Sequence, residues 1–70
     1  MRYLTISIVK EGKWYVARAG ELGVASQGRT IEEARKNLQE AVELFVEDDS
    51  AIRKDLPREI PMVSVLELQP

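Results

Sequence analysis

The sequence contains neither cysteine nor histidine. Without cysteine the chain can form no disulfide and no thiolate metal site, and without both residues the usual nucleophile–base relays of covalent catalysis are missing. No apolar run approaches the roughly 20 residues that a membrane-spanning helix requires. Residues 1–5 lack the basic start and apolar centre of a secretory signal, so we expect a cytoplasmic protein.

The sequence also lacks a large excess of either charge, because 12 acidic and 10 basic residues give a net charge of −2. A protein that contacts nucleic-acid phosphates carries clustered lysine and arginine, so we expect no direct DNA binding. Two-metal nuclease chemistry of the ribonuclease-H kind needs carboxylates on the first strand, and residues 1–10 contain none. We therefore expect no catalytic residues, no metal and no cofactor.

The first 19 residues predict a β-hairpin. Residues 2–10 place apolar and other side chains on alternate sides, which is typical of a strand. Gly12 then supplies a tight turn, and residues 13–19 form the returning strand. Because Trp14 and Tyr15 are adjacent on this strand, they face opposite sides of the sheet.

A third, short strand is predicted over residues 24–27. It follows a glycine-bounded break at residues 20–23 and is closed by Gly28. The spacing of these glycines matches no phosphate-binding loop, so Gly20, Gly23 and Gly28 are interpreted as turn glycines.

Residues 31–48 predict an amphipathic helix. Thr30 is its N-cap, and Glu33 three residues later completes a capping box. Glu32 and Lys36 form a favourable (i, i+4) pair. The apolar stripe of this helix consists of Ile31, Ala34, Leu38, Ala41, Val42 and Phe45.

The last part of the chain predicts a connector followed by a fourth strand. Residues 48–50 end the helix, residues 51–54 are compatible with a further helical turn, and residues 62–68 form the strand. A right-handed crossover through the helix places this strand parallel to the first. The predicted class is α+β with order β-β-β-α-β: a three-stranded antiparallel meander plus a parallel fourth strand, in spatial order 3-2-1-4, with one helix packed on one face.

Four residues are candidates for binding a partner protein: Trp14, Glu40, Glu43 and Glu47. An outward aromatic side chain is typical of a protein interface, although plain packing or stacking on RNA bases is also open. The glutamates lie on the outer helix face, where they suit a basic partner or are simply solvated.

Several motifs resemble the N-terminal domain of HicB antitoxins. They are EGKWYVA at residues 11–17, ELGVASQG at 21–28, TIEEA at 30–34 and NLQEAVEL at 37–44. The resemblance in order, spacing and residue type covers about residues 2–48, with a compatible last strand at 62–68.

The resemblance implies a partial ribonuclease-H-like fold and a function in binding. HicB proteins neutralise a small, basic, mRNA-cleaving HicA-type toxin and commonly self-associate, so we expect a dimer or tetramer here. We further expect a single domain over residues 1–70 that lacks the C-terminal DNA-binding domain of many HicB proteins. Two other hypotheses stay open: an RNA-binding or nuclease remnant of the ribonuclease-H-like fold, and a self-assembling domain without a toxin partner.

Overall fold

The computed structural model describes the backbone of residues 1–70 and every side chain except that of Ser50. Its elements follow the chain as β1 (Ser7–Glu11), β2 (Trp14–Ala19), β3 (Val24–Gly28), α1 (Ile31–Asp48) and α2 (Ser50–Asp55). The strands form one antiparallel sheet in the order β1-β2-β3, and α1 packs on one face of it. This confirms the α+β class, the three-stranded antiparallel sheet and the main helix. No helix within the described backbone is long and apolar enough to cross a membrane.

Two glycines shape the turns of the sheet. The two-residue loop between β1 and β2 has a positive φ at Gly12 (63°) but not at Lys13, which is the pattern of a type II′ hairpin turn. In the loop between β2 and β3, the N–H groups of Leu22 and Gly23 both donate to the Ala19 carbonyl at 3.0 Å. Gly23 has a φ of 68°, which confirms its interpretation as a turn glycine.

Gly28 is a close-packing glycine. It is the buried last residue of β3, opposite Tyr15 of β2. A Cβ atom on Gly28 would lie 2.5 Å from the backbone nitrogen of Ala34 and 2.9 Å from the Cβ of Glu33. The interpretation as a turn glycine is therefore wrong for this position, because the absence of a side chain lets β3 touch the first turn of α1.

The core is small and is built around alanines. Ala17 and Ala19 of β2 and Ala34 and Leu38 of α1 are almost completely inaccessible to solvent. Short side chains let the helix lie close to the sheet. Six partly buried side chains surround this centre: Leu4, Ile6, Ile8, Tyr15, Val24 and Val42.

Helix α1 begins and ends at the predicted residues, and Thr30 caps it as predicted. The Glu33 N–H donates to the Thr30 hydroxyl at 3.0 Å. The return bond of the capping box differs, because the Glu33 carboxylate accepts from the Arg29 N–H at 3.2 Å and not from Thr30. The predicted Glu32–Lys36 ion pair is not formed.

The apolar stripe of α1 is covered only in part. Ala34 and Leu38 are buried, and so is Val46, which the prediction missed. Ile31 and Phe45 were assigned to the stripe but are 53% and 38% exposed. A sheet of three strands covers less of the helix than the four-stranded sheet that the prediction assumed.

A second helix follows α1 almost immediately. Asp49 ends α1 and caps α2, because its carboxylate accepts from the Ala51 N–H at 3.1 Å. The further helical turn at residues 51–54 is thereby confirmed and extended to Ser50–Asp55.

The chain termini differ most from the prediction. The first strand begins at Ser7 and not at residue 2. The segment before it contacts the end of α2 instead: the Tyr3 N–H donates to the Pro57 carbonyl, and the Arg2 guanidinium donates to the Leu56 carbonyl, both at 2.9 Å. These contacts hold residues 1–6 beside the sheet without a strand partner.

The predicted fourth strand is not formed in this chain. Residues 60–70 contain no helix, strand, turn or bend. Pro57 and Pro61 precede the predicted strand and lack the N–H group that a β-ladder requires. We call residues 60–68 the apolar tail, because six large apolar side chains in it are exposed: Ile60, Met62, Val63, Val65, Leu66 and Leu68.

Candidate protein-binding surfaces

Three glutamates form an acidic stripe along the exposed face of α1. We define the acidic stripe as Glu40, Glu43 and Glu47, whose spacing of three and four residues places them on one side of the helix. All three are exposed, while Leu38 and Val46 are buried against the rest of the molecule. The structure therefore brings together the three glutamates that the sequence selected, on the helix face turned away from the sheet.

The charges of the acidic stripe do not stabilise the helix that carries them. Residues 37–48 contain four carboxylates and no basic side chain, and the last turn of α1 has no cation. Like charges three or four residues apart destabilise a helix by roughly 0.2–0.5 kcal/mol per pair, and acids near the C-terminus oppose the helix dipole. Within the described side chains the stripe makes no salt bridge, and Glu43 accepts one hydrogen bond, from Gln39 Nε2 at 3.2 Å.

Trp14 lies on the opposite layer of the molecule. Its neighbour Tyr15 packs against the core beneath α1, so the side chain of Trp14 is on the outer face of the sheet, where it is 38% exposed. The Arg29 guanidinium stands 5.4 Å from the centre of the indole ring. A cation–π contact at an exposed site contributes about 0.5–1 kcal/mol, so Arg29 holds the ring in place and covers part of it.

The outer face of the sheet around Trp14 is open and of mixed polarity. Val9 and Val16 are cross-strand partners on this face, and Val9 is 50% exposed. Arg18 and Glu11 form an ion pair of 3.1 Å between half-exposed side chains. An exposed pair of this kind contributes little stability, typically below about 1 kcal/mol.

The four predicted partner-binding residues therefore do not form one surface. The acidic stripe faces away from the sheet on the helix layer, and Trp14 faces away from the helix on the sheet layer. A single compact partner that contacts the stripe would not reach Trp14. The sequence could not indicate this separation, because it depends on which face of the sheet the helix covers.

An apolar groove beside β1 was missed by the sequence prediction. Helix α1 packs mainly over β3 and β2 and contacts β1 less, which leaves space between the helix and the N-terminal segment. We call this space the edge groove; its larger part has a volume of about 580 Å³. It is lined by Leu4, Ile6, Leu38 and Val42, with Arg2 and Arg35 also at its wall. The alternation of Leu4 and Ile6 was the available signal, but it was assigned to a paired strand.

Among the described side chains, no three acidic residues lie close enough together to hold a metal ion. Asp49, one of the acids at the helix end, is occupied as the cap of α2. Three surfaces stand out among the described residues: the acidic stripe, the outer sheet face with Trp14, and the edge groove with the apolar tail.

Comparison with known proteins gives no match to this chain, whether with family models, with curated proteins or with solved structures. The HicB resemblance accordingly stays a prediction from the sequence motifs.

Proposed function

We propose that this chain is a non-catalytic, HicB-like binding protein that neutralises a small, basic, mRNA-cleaving toxin of the HicA type. The observation that carries the proposal is the acidic stripe, a row of three exposed carboxylates on α1 that form no salt bridge with the described side chains. The stripe is unfavourable for the isolated helix, and cations on a bound partner would relieve its repulsion. Complementary charge also accelerates association and suppresses wrong partners.

The partial ribonuclease-H-like relationship belongs to the same proposal. It is supported by the order β1-β2-β3 and by α1 on one face of the sheet. Its fourth strand would be residues 62–68, of the same chain or of a second copy, added beside β1 and parallel to it to give the order 3-2-1-4. A cytoplasmic location would place the protein with the mRNA that such a toxin cleaves.

The proposal is tested with the products of the reading frames that flank the one for this chain, among which we expect a small basic protein. We expect saturable binding by calorimetry and loss of mRNA cleavage by that protein once one equivalent of this chain is added. The double variant Glu43→Gln/Glu47→Gln should bind about tenfold more weakly, since each exposed charge pair contributes up to about 1 kcal/mol. Its affinity should also depend less on salt.

The matched control is Glu21→Gln/Glu59→Gln, which removes the same charge from exposed positions outside α1. It should bind nearly as well as the unchanged chain. Equal weakening by both double variants would mean that net charge and not the acidic stripe is recognised. Undiminished mRNA cleavage in the presence of excess chain would contradict the antitoxin function itself.

A second candidate function, RNA binding on the outer sheet face, is favoured by one observation. Trp14 stands with Lys13 and Arg29 around a shallow pocket, and aromatic rings flanked by cations stack on single-stranded bases. Trp14 is the only tryptophan, so its fluorescence reports this site directly. Saturable quenching by single-stranded RNA that is lost in Arg29→Gln would favour RNA binding, whereas an unchanged signal would exclude it at this surface.

A further inference from the structure

The apolar tail is left without any covering surface in its own chain. Met62 is 99% exposed and Val65 is 88% exposed, and the other large side chains of the tail are similarly open. Contiguous apolar surface of this kind is rare on isolated proteins and marks a site of interaction. The tail also extends the molecule. The radius of gyration of the whole chain is 13.3 Å, against about 11 Å for a compact chain of this length.

A surface that fits the tail exists on the same molecule. Strand β1 is at the edge of the sheet and pairs only with β2, so its other side presents unpaired backbone N–H and C=O groups. The edge groove lies between α1 and the segment that leads into this strand, and apolar side chains line it. One added strand would both pair with the free edge of β1 and fill the edge groove.

The side chains of the tail suit a strand that is covered on both faces. Met62, Leu66 and Leu68 fall on one side, and Val63 and Val65 on the other. One side would enter the edge groove beside Leu4 and Ile6. The other would continue the outer apolar surface formed by Val9 and Val16.

We propose that the tail of one copy of this chain adds as a strand to the free edge of β1 in a second copy, and that the exchange is reciprocal. In its own chain the tail follows Leu56 and Pro57, whose carbonyls accept from Arg2 and Tyr3, and it then pairs with no strand, so a second copy supplies the edge that it can pair with. A reciprocal exchange is symmetric and closes on itself as a dimer. This proposal is independent of the toxin-binding function.

The area involved is sufficient for a stable dimer. A buried aliphatic side chain removes on the order of 60–120 Å² of apolar surface from water, so the six large apolar side chains in each of two exchanged tails contribute roughly 700–1,400 Å² before any backbone or groove surface. Specific, stable interfaces bury about 1,200–2,000 Å² in total. The tail and the groove of two copies therefore reach the size of a specific interface.

Oligomeric mass tests the proposal with the full chain. We expect sedimentation at twice the chain mass of 7.9 kDa. Successive N–H groups of a strand point to opposite sides, so either Val65→Pro or Leu66→Pro must remove a bond of the new ladder. Whichever of these two variants removes the bond should sediment as a monomer with an unchanged helical circular dichroism signal. Gln69→Pro lies outside the predicted strand and should remain a dimer. A monomeric unchanged chain, or a dimer that neither tail proline weakens, would overturn the proposal.

Cross-linking decides whether the strand comes from the same chain or from a second one. The chain has no cysteine, so Ser7→Cys/Ser64→Cys introduces one thiol on β1 and one on the tail against a clean background. A short bis-maleimide should yield product at twice the chain mass, and each single cysteine variant should yield much less. Product at the single chain mass would mean that the tail pairs with its own β1. Absence of product would mean that it does not lie on that edge, and either result would contradict the exchange.

Discussion

The sheet–helix centre and the apolar tail have similar hydrophobic side chains but opposite environments. In the centre, Ala17, Ala34 and Leu38 are buried because β2 and α1 approach each other closely. In the tail, Val65 and Leu66 are almost fully exposed. The difference is the presence of a partner surface in the same chain and not the composition of the segment. Apolar character thus indicates that a residue will be buried somewhere, and the fold decides whether its own chain can do it.

The largest loss of stability is expected when a leucine is replaced by alanine in the sheet–helix centre, compared with the same replacement in the apolar tail. Leu38→Ala removes the one large side chain that is fully buried among those described, and such deletions cost about 2–5 kcal/mol. Leu66→Ala should change the free energy of unfolding by less than about 0.5 kcal/mol at concentrations where the chain is monomeric. Urea unfolding followed by circular dichroism measures both.

The contribution of the tail to stability should become measurable when the protein concentration is raised. If tails are exchanged, the unfolding midpoint of the unchanged chain rises with concentration, and Leu66→Ala reduces that rise. A loss of several kcal/mol for Leu66→Ala in the monomer would show that the tail is packed within its own chain, and the contrast between the regions would disappear.

A smaller effect is expected from the contact between β3 and α1. Gly28→Ala places a Cβ atom 2.5 Å from the Ala34 nitrogen, so the helix must shift, and overpacking of this kind costs about 1–3 kcal/mol. Gly20→Ala is the matched control, because a Cβ atom there meets nothing within 4 Å. Equal midpoints for the two variants in urea would mean that β3 and the first turn of α1 are not in close contact.

The smallest of these effects concerns the start of α1. Thr30→Ala removes the acceptor of the Glu33 N–H and should lower the free energy of unfolding by about 1 kcal/mol. Thr30→Ser keeps an oxygen in place and should restore most of that stability. If the alanine and serine variants unfold at the same midpoint, the cap contributes nothing measurable and the helix is held by its core contacts alone.

Local features were predictable because their causes are local. The bounds of α1 follow from its cap and from its apolar period, and the hairpin follows from the tight turn at Gly12. The role of Gly28 was not predictable, since it depends on the approach of a helix backbone to the strand. The burial of Val46 and the exposure of Ile31 likewise depend on how far the sheet extends beneath the helix.

The candidate surfaces were predictable to a different degree. The spacing of Glu40, Glu43 and Glu47 is sufficient to place them on one helix face. Their separation from Trp14 required the stacking of helix on sheet. The edge groove required the lateral position of α1 over β2 and β3, which no periodicity in the sequence encodes.

By itself, the sequence determined the local features of this protein: where the helix is capped, where glycine opens a turn, and the lack of cysteine and histidine. Those properties depend on side chains within a few positions of one another. The tertiary structure alone decided which apolar segments meet a partner, that Trp14 and the acidic stripe lie on opposite layers, and that the edge of β1 stays open. Such properties depend on contacts between residues far apart in the chain, whose geometry is set only when the layers pack.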